Sequence, residues 1–265
     1  MIETEQLNQH DPKLAEIYTY IQTKGRASVT ELSRKFETSE STIRRNLRKL
    51  SEMKLVKRFH GGAALSPSAI KEPPVSKRGV MHRDEKREIG KAAADLVEDG
   101  DTIILRSGTT VAEMIPHLLE KKDLKIITNM LSPPPTLIQS PHRIILTGGE
   151  IDKDELCTTG LLAAAAMKNL RAEKLFTGAL GIDPNHGIMA DDFGEVSVTR
   201  SFIEASDQVI VLADHSKFSQ VAPMILCTTE EIDCIVTSSG TPENTISYLE
   251  ELAIKVMICG GTSGD

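Results

Sequence analysis

Long apolar runs are absent from this sequence. In its 265 residues, no uninterrupted hydrophobic stretch approaches the length of roughly 18 residues that a membrane-spanning helix needs, so no such helix is expected. The first 25 residues are polar and charged and lack the apolar core of a secretion signal. We therefore predict a cytoplasmic protein without a membrane partner.

Cysteine is scarce and widely spaced. The four cysteines contain no CxxC pair: they are Cys157, Cys227, Cys234 and Cys259. Most zinc and redox motifs place cysteines close together in the sequence, whereas isolated cysteines of a cytosolic protein pack as small apolar side chains. We predict no disulfide, no metal site and no cofactor.

An overall positive charge is also lacking, since the formal net charge at pH 7 is −7. The charge is unevenly distributed along the chain. Residues 1–63 carry 12 Lys and Arg against 8 Asp and Glu, and the remainder carries 19 against 30. Residues 39–60 alone have 7 basic and 2 acidic side chains. Because attraction to phosphate depends on local charge, only the N-terminal segment is expected to meet a polyanion.

The N-terminal residues have the spacing of short helices. Four apolar side chains share one face of a first helix: Leu14, Ile17, Tyr18 and Ile21. Ser28 and Glu31 have the spacing of a capping box, which predicts a second helix. That helix is expected to bury Val29, Leu32 and Phe36. A polar turn at 37–41 then caps a third helix, so the order of elements is that of a helix-turn-helix motif.

The third helix combines an apolar side with a basic side. Ile43, Leu47 and Leu50 group on the side that docks on the first two helices. The opposite side has arginines and hydroxyls in its N-terminal half, the part of a recognition helix that reads bases. A merely solvated basic face is the alternative. The predicted DNA contacts in this helix are Ser41, Thr42, Arg44, Arg45, Arg48 and Lys49.

The segment that follows has the pattern of a β-wing. Residues 55–63 alternate apolar and basic side chains and end at two glycines. Lys57, Arg58 and His60 are predicted to contact the DNA backbone or the minor groove beside the recognition helix.

Residues 42–47, Thr-Ile-Arg-Arg-Asn-Leu, and residues 57–63, Lys-Arg-Phe-His-Gly-Gly-Ala, together resemble the DeoR-type regulators. The pattern of that family is TIRRDL, a later leucine (here Leu50) and RxHGGA. Asn46 stands in place of the usual aspartate and Lys54 in place of the usual glycine. Neither change removes a basic side chain, so the resemblance implies a winged helix-turn-helix domain that binds operator DNA.

Three segments are predicted along the chain. Residues 1–63 form the DNA-binding domain, 64–83 a linker and 84–265 an α/β domain, with the boundary near residue 75. The linker has no helical or strand periodicity, and its prolines favour a semi-rigid, extended connection. The DeoR resemblance implies that this segment can pack on the second domain.

From residue 84 onward, helical patterns alternate with short β-rich runs. The runs are 102–106, 125–129, 143–147, 174–179, 208–214, 234–239 and 255–260, and the clearest helices are 85–97, 111–121, 161–170 and 243–252. This alternation predicts a largely parallel sheet covered by helices on both faces. Ligands of such sheets bind beyond the carboxyl ends of the strands.

The loop after the first run has the composition of an anion site. Residues 106–110, Arg-Ser-Gly-Thr-Thr, lie between a strand and a helix start, where backbone N–H groups, hydroxyls and the helix dipole converge. Simple helix capping is the alternative. Glycine- or hydroxyl-bearing loops also follow other runs, at 128–129, 147–150, 178–183 and 214–217. Several such loops at one sheet edge predict a pocket.

These loops resemble the sensor domain of DeoR-type regulators, whose fold is that of ribose-5-phosphate isomerase and CoA-transferase-like proteins. The resemblance implies a phosphorylated sugar or related effector. Carried over by position, the resemblance implies that the phosphate is held by Ser107, Gly108, Thr109 and Thr110 and that the rest of the ligand is contacted by Asn129 and Lys217. The predicted effector site also includes Arg106, Gly148 and Gly149. A solvated loop lysine is the alternative for Lys217.

Two positions depart from the pattern of the sensor family. Arg106 and Leu180 stand where the family usually has aspartate. An ionised carboxylate only accepts hydrogen bonds, so the loss of two carboxylates predicts a ligand that is more anionic or less hydroxylated. The alternative is that Arg106 forms an internal salt bridge with Glu113 or another acidic neighbour.

The sequence therefore predicts a DNA-binding repressor of a sugar or carbohydrate operon that acts as a homodimer or homotetramer. The competing hypothesis is a sugar-phosphate isomerase or CoA-transferase fused to a DNA-binding head. An isomerase needs a carboxylate base, and the segment that corresponds to its Asp-Gly-Ala-Asp-Glu motif is here Thr-Gly-Ala-Leu-Gly at 177–181. Asp191, Asp192 and Glu195 remain as candidate bases, which keeps the competing hypothesis open. Because the motif itself is missing, no catalytic site is predicted. A purely architectural DNA protein would leave the pocket unexplained.

Overall fold

The computed structural model describes residues 11–24, 26–53, 55–59, 61–65, 73–131, 133–220 and 222–260. Lys54 and His60, on which the sequence made predictions, lie outside the described residues. The chain separates into two compact units, Met1–Lys71 and Glu72–Asp265.

The N-terminal unit has the elements of a winged helix-turn-helix. Its described helices are α1 (Pro12–Lys24), α2 (Val29–Lys35) and α3 (Glu40–Glu52). Its described strands are β1 (Arg26–Ser28), β2 (Val56–Phe59) and β3 (Gly62–Leu65). The strands form an antiparallel sheet in the order β1-β3-β2. The predicted motif is confirmed, with two additions: strand β1 was not predicted, and β3 continues to Leu65, within the predicted linker.

The predicted helix caps form as the sequence requires. The Ser28 hydroxyl accepts a hydrogen bond from the Glu31 N–H at 3.1 Å, and the Glu31 carboxylate accepts one from the Ser28 N–H at 3.3 Å. Ser39 caps α3 by accepting from the Thr42 N–H at 3.2 Å. The helices then bury the predicted apolar stripes: Leu14, Ile17, Tyr18, Ile21, Val29, Leu32, Ile43, Leu47 and Leu50. Phe36 is half-buried against this core.

The turn between β2 and β3 depends on glycine. A Cβ atom on Gly62 would lie 2.5 Å from the carbonyl oxygen of Ala27 on the neighbouring strand β1. Gly61 has φ of +89°, a conformation that side-chain-bearing residues rarely adopt. The two glycines of the predicted wing therefore allow β3 to pack directly on β1.

The C-terminal unit is built around a parallel sheet. Its described strands are β4 (Thr102–Leu105), β5 (Lys125–Thr128), β6 (Arg143–Leu146), β7 (Glu150–Asp152), β8 (Cys157–Thr159), β9 (Ala172–Thr177), β10 (Gly181–Asp183), β11 (Gly187–Ala190), β12 (Ser206–Ala213), β13 (Met224–Cys227), β14 (Cys234–Ser238) and β15 (Lys255–Cys259). The main sheet has the order β15-β14-β12-β9-β4-β5-β6, and all its neighbouring strands are parallel. These seven strands correspond to the seven predicted runs.

Helices cover both faces of this sheet. The described helices are α4 (Val75–Arg78), α5 (Arg83–Asp95), α6 (Thr109–Ala112), α7 (Ile115–Leu118), α8 (Pro135–Ile138), α9 (Gly160–Ala166), α10 (Phe193–Glu204) and α11 (Glu243–Glu251). Ile104 of β4 belongs to one hydrophobic cluster, whereas its neighbours Ile103 and Leu105 belong to another. Because successive side chains of a strand point to opposite faces, both faces of the sheet are buried. The α/β prediction is confirmed.

Three details differ from the sequence prediction. The helix predicted at 111–121 is divided into α6 and α7, because Pro116 has no N–H to continue the hydrogen-bond ladder. Helix α10 was not predicted, nor were the small antiparallel sheets β10-β11-β13 and β7-β8. The prediction of extended structure for the linker is wrong at Val75–Arg78, where the Pro74 carbonyl accepts from two N–H groups and starts α4.

The cysteines pack as small side chains, as predicted. Cys157, Cys227 and Cys234 are buried, Cys259 is half-buried, and none of the four is in a disulfide. Burial raises the pKa of the Cys227 thiol to about 12. In the part of the chain that the structure describes, the helices are too short or too polar to cross a membrane.

Candidate nucleic-acid interface and effector site

Helix α3 presents the predicted basic face to solvent. The side chains of Arg44, Arg45, Arg48 and Lys49 are exposed, together with Ser41, and Thr42 is half-buried. The opposite side of α3 is buried against α1 and α2. The unit therefore offers a cationic helix face of the kind that fits a DNA groove.

The N-terminus of α3 carries a cluster of hydroxyl groups. The Ser39 hydroxyl lies 2.9 Å from the hydroxyls of both Ser41 and Thr42. Because Ser39 is the helix cap, these hydroxyls stand beside the N–H groups of the first turn, which have no partner within the helix. This is an arrangement that suits a DNA phosphate.

Two of the basic side chains are held by carboxylates of the same unit. Arg44 is 3.0 Å from Glu40, whose carboxylate also accepts from the Thr30 hydroxyl at 2.9 Å. The Thr30 hydrogen bond and then the Arg44 guanidinium lower the pKa of Glu40. Lys49 is 3.1 Å from Asp11.

Arg45 and Arg48 differ from these two. Their side chains have no ion-pair partner among the residues that the structure describes. They can contact DNA without first releasing an internal partner, whereas Arg44 has to leave Glu40.

The wing places its basic residues on an exposed strand. Lys57 and Arg58 lie on β2 opposite Ala64 and Ala63 of β3, and both side chains are exposed. The third predicted wing contact, His60, lies outside the described residues.

A small cavity opens beyond the carboxyl end of β4 in the second unit. Six of the predicted effector residues line it together: Arg106, Ser107, Gly108, Thr109, Thr110 and Lys217. Leu180, the other position that departs from the family pattern, lines the same cavity. Its free volume is about 30 Å³, room for a few water molecules at most. A larger ligand therefore needs the lining side chains to move.

Asn129 lies behind the loop instead of lining the cavity. Its side-chain oxygen accepts from the Ser107 N–H at 2.8 Å, and its side-chain nitrogen donates to the Thr158 carbonyl at 3.0 Å. The residue is buried. The amide of Asn129 thus ties the end of β5 to the loop after β4 and to β8.

Gly148 and Gly149 are also outside the cavity lining. Both have positive φ, +68° and +122°, in the turn between β6 and β7. A Cβ atom on Gly149 would lie 2.6 Å from the Thr159 carbonyl oxygen and 2.9 Å from the Ala163 Cβ of α9. The structure gives Gly149 a packing role and Gly148 a left-handed turn conformation, neither of which the sequence pattern revealed.

Two buried ion pairs border the cavity. Arg106 is 3.0 Å from Glu195 of α10, and the two side chains are only 9% and 12% exposed. Arg78 of α4 pairs with Glu155, again with both side chains largely buried. The suggested partner Glu113 is wrong for Arg106, because Glu113 lies near Arg87 instead, at 4.0 Å. The acidic neighbour of Arg106 is Glu195.

Sequence reasoning missed Arg78 and Glu155 as cavity residues. Arg78 lay in the predicted linker, and Glu155 lay between two strands that were not predicted. Glu195 was considered only as a catalytic base. Three cationic and two anionic side chains thus meet at one strand end: Arg78, Arg106, Lys217, Glu155 and Glu195. An anion can bind in the cavity if it replaces the carboxylate of one of these two ion pairs.

Comparisons with known proteins find matches for both units of the chain. Residues 14–69 match the family model of the DeoR-like helix-turn-helix domain, and residues 81–239 match that of the DeoR C terminal sensor domain. The chain is 32% identical over 244 residues to the glycerol-3-phosphate regulon repressor of Escherichia coli, covering 92% of this chain and 96% of that protein. It is 31% identical over 253 residues to the transcriptional repressor AccR of Agrobacterium fabrum, covering 95% and 98%.

Among solved structures, the chain is similar to ribose 5-phosphate isomerase A from Methanocaldococcus jannaschii. That similarity is 18% in sequence identity, covers 51% of this chain and 54% of the isomerase, and has a TM-score of 0.38.

Proposed function

The chain belongs to the DeoR family of transcriptional regulators, and from that premise we propose that it represses a carbohydrate operon under the control of a phosphorylated sugar or related anionic metabolite. The similarity to two proteins named as repressors supports repression. The regulator acts in the cytoplasm, where it binds a double-stranded DNA operator through α3 and the wing.

One observation supports the effector site above the others. The loop 106–110, Lys217 and the Arg106–Glu195 pair converge at the carboxyl end of a parallel sheet, the edge where α/β proteins bind ligands. The effector's phosphate enters this cavity, takes the place of the Glu195 carboxylate on Arg106 and accepts from the hydroxyls of Ser107 and Thr109.

The wall of the cavity favours a ligand with few hydroxyls on one side. Leu180 is 5% exposed and offers no hydrogen-bond acceptor there. A sugar hydroxyl buried against it would lose its hydrogen bonds to water, which is unfavourable. Asn129 positions the loop in this proposal and does not contact the ligand.

Thr109→Asp tests this assignment. The new carboxylate lies among the groups of the loop 106–110 that we propose to bind the phosphate, and it repels the phosphate. The DNA-binding unit is unchanged. We expect the variant to bind operator with wild-type affinity in a gel-shift titration and to lose the response to effector. The effector itself is found by a thermal-shift screen of phosphorylated sugars beside their unphosphorylated counterparts.

Thr109→Asn is the matched control, since asparagine has nearly the size of aspartate without its charge. Its response to effector should lie close to that of the wild type. If Thr109→Asp still responds with the wild-type midpoint, the phosphate lies elsewhere and the site is wrong.

We propose ligand binding without catalysis at this cavity. The Asp192 carboxylate caps α10 by accepting from the Gly194 N–H at 2.7 Å and the Glu195 N–H at 3.3 Å. It is therefore engaged as a helix cap and is not placed as a general base. Unchanged NMR spectra of sugar phosphates incubated with the protein are the expected result.

The regulator pairs through its second unit to occupy two operator half-sites. A single helix-turn-helix contacts too little DNA for tight binding. Leu161, Leu162 and Phe193 at the starts of α9 and α10 are 82%, 76% and 83% exposed, and exposed apolar groups of this size mark interaction surfaces. Gly194 lies against the Thr159 side chain, so the two helix starts are neighbours.

Analytical ultracentrifugation tests this assembly. We expect a homodimer or homotetramer at micromolar concentration and a shift towards monomer in the double variant Leu161→Glu/Leu162→Glu. Ile138→Glu, on the exposed face of α8, is the matched control and should keep the wild-type assembly. Monomer alone, with and without DNA, would contradict the proposal.

A further inference from the structure

Two histidines that are distant in the sequence meet beside the carboxyl end of β12. His82 precedes α5, and Asp214 and His215 follow β12 directly. One potential ligand atom from each of these three residues lies within 4.8 Å of the other two. The imidazole rings are perpendicular, with centroids 5.0 Å apart. None of the three lines the proposed effector cavity.

A single carboxylate contacts both imidazole rings. The two oxygens of Glu85 lie 3.2 Å from Nδ1 of His82 and 2.8 Å from Nδ1 of His215. Ser238 also donates its hydroxyl to Glu85, at 2.5 Å. An imidazole that donates from Nδ1 to a carboxylate keeps the lone pair of Nε2 for another partner. This is the way in which carboxylates orient metal-binding histidines in proteins.

Asp214 supplies an anionic group to the same cluster. It is 1% exposed, and its Oδ1 accepts from the Ser216 N–H at 3.1 Å. A buried carboxylate with fixed orientation is a common third ligand beside two histidines. The side chains of His82 and His215 are 33% and 39% exposed, so an ion can reach them from solvent.

We propose that His82, Asp214 and His215 form a binding site for a divalent late first-row transition-metal ion, with Glu85 as the residue that positions both imidazoles. Two nitrogens and one carboxylate oxygen suit Zn²⁺, Ni²⁺ or Co²⁺. Mg²⁺ and Ca²⁺ prefer oxygen ligands throughout. Water can complete the coordination on the exposed side.

The geometry needs only a small contraction. Bonds of about 2.0–2.2 Å place tetrahedral ligand atoms roughly 3.4 Å apart, compared with separations of at most 4.8 Å between one candidate ligand atom of each residue, Nδ1 or Nε2 in a histidine. Rotation of an imidazole about its last side-chain torsion is soft and supplies movement of this size.

Metal titration of the full-length, tag-free and chelator-treated protein tests the site. Calorimetry with Zn²⁺, in competition with a chromophoric chelator, should give one ion per chain, and Mg²⁺ should not compete. His82→Asn and His215→Asn should each weaken Zn²⁺ binding at least about tenfold, the loss typical of disturbing even a supporting residue of a metal site. Asparagine suits position 82 because it tolerates the left-handed backbone found there, with φ of +51°.

His186→Asn is the matched control. Its Nδ1 also faces a carboxylate, Asp183 at 3.0 Å, but His186 is not part of the His82 cluster. Zn²⁺ binding by this variant should equal that of the wild type. Thermal unfolding gives a second readout: Zn²⁺ should raise the melting temperature of the wild type and of His186→Asn, and raise that of the His82→Asn/His215→Asn double variant much less.

Substitution with Co²⁺ distinguishes this site from the cysteines. Nitrogen and oxygen ligands give weak visible bands, whereas thiolates add an intense charge-transfer band. We expect the weak bands alone. The proposal is overturned if the double variant binds the same number of ions with wild-type affinity, if a thiolate band dominates, or if the wild type binds no Zn²⁺ at millimolar concentration. In the last case the cluster is a metal-free hydrogen-bond network.

Discussion

The two units of this chain use arginine in opposite ways. On α3, Arg45 and Arg48 are exposed, and a nucleic acid is the partner that their charge suits. In the α/β unit, Arg78 and Arg106 are buried against carboxylates. The first arrangement is open to an external polyanion, whereas the second already has an internal anion, which the ligand displaces in the function that we propose. The difference teaches that replacing an exposed arginine should change the stability of the protein little, whereas breaking the ion pair of a buried arginine should lower it strongly.

The largest expected effect comes from breaking a buried pair. Glu195→Gln leaves the Arg106 guanidinium without its anion in a largely buried position, and the loss of stability should be about 3 kcal/mol. Arg45→Ala on the exposed face of α3 should change stability by less than about 0.5 kcal/mol. Urea denaturation of both variants measures this contrast.

Inorganic phosphate sharpens the same experiment. It should stabilise Glu195→Gln more than the wild type, because the anion then meets an unpaired guanidinium. Equal stabilities of Glu195→Gln and the wild type would show that the Arg106–Glu195 pair is energetically unimportant and would remove the contrast between the units.

The next effect concerns operator recognition by α3. Arg48→Ala should lower the affinity for operator by about 1–3 kcal/mol for each base that the guanidinium reads, and Arg44→Ala should lower it less, because Arg44 must first leave Glu40. Fluorescence anisotropy with operator and with unrelated DNA separates specific from general binding.

The wing provides the control for this prediction. Lys57→Ala should weaken binding to all sequences alike and reduce the salt dependence by about one counterion. Unchanged specificity in both arginine variants would mean that this face of α3 does not read bases.

The smallest effect concerns a half-exposed ion pair of the α/β unit. Arg200 of α10 contacts both carboxylate oxygens of Glu231, at 2.8 and 2.7 Å. Burial alone would raise the pKa of Glu231, but the hydrogen bonds from Arg200 and Thr228 outweigh it and lower the pKa below 4.5. A lowered carboxyl pKa contributes stability above the unfolded value, and this contribution is lost as the pH falls through the folded value.

Glu231→Gln should therefore cost about 1 kcal/mol at pH 7, and the difference from the wild type should shrink as the pH falls below 4.5. Denaturant midpoints between pH 7 and pH 3 measure it. Glu230→Gln, an exposed neighbour, is the control and should follow the wild type. A difference that stays constant over this range would contradict the ionic origin.

The sequence predicted elements whose signal is local. The seven strands of the main sheet are short, apolar runs between turns, and the helices of the N-terminal unit have clear caps and apolar stripes. Helix α10 lacks such a signal, since it contains a glycine and three β-branched residues in its first seven positions. It depends on the Asp192 cap and on the burial of Val198 and Phe202.

The candidate sites show the same division between features with a local sequence signal and features that depend on tertiary structure. The convergence of residues 106–110 and Lys217 on one cavity could be predicted, because the carboxyl ends of parallel strands share one sheet edge. The partners of Arg106 and Arg78 could not, since Glu195 and Glu155 reach the cavity from elements that gave no clear pattern. His82 and His215 have no common motif, so their proximity depends on tertiary structure alone. The sequence also does not tell which way the Asn129 amide points.

The strand order of the main sheet also bears on biosynthesis. Strand β4 pairs with β9, so that Ile103 lies opposite Lys174, and β9 pairs next with β12. The sheet cannot close on a ribosome until these distant segments have been made, whereas the N-terminal unit needs only contacts within its own short stretch. We expect the DNA-binding unit to fold co-translationally and first, so that a nascent chain has a folded DNA-binding unit before it has the unit that we propose to sense the effector.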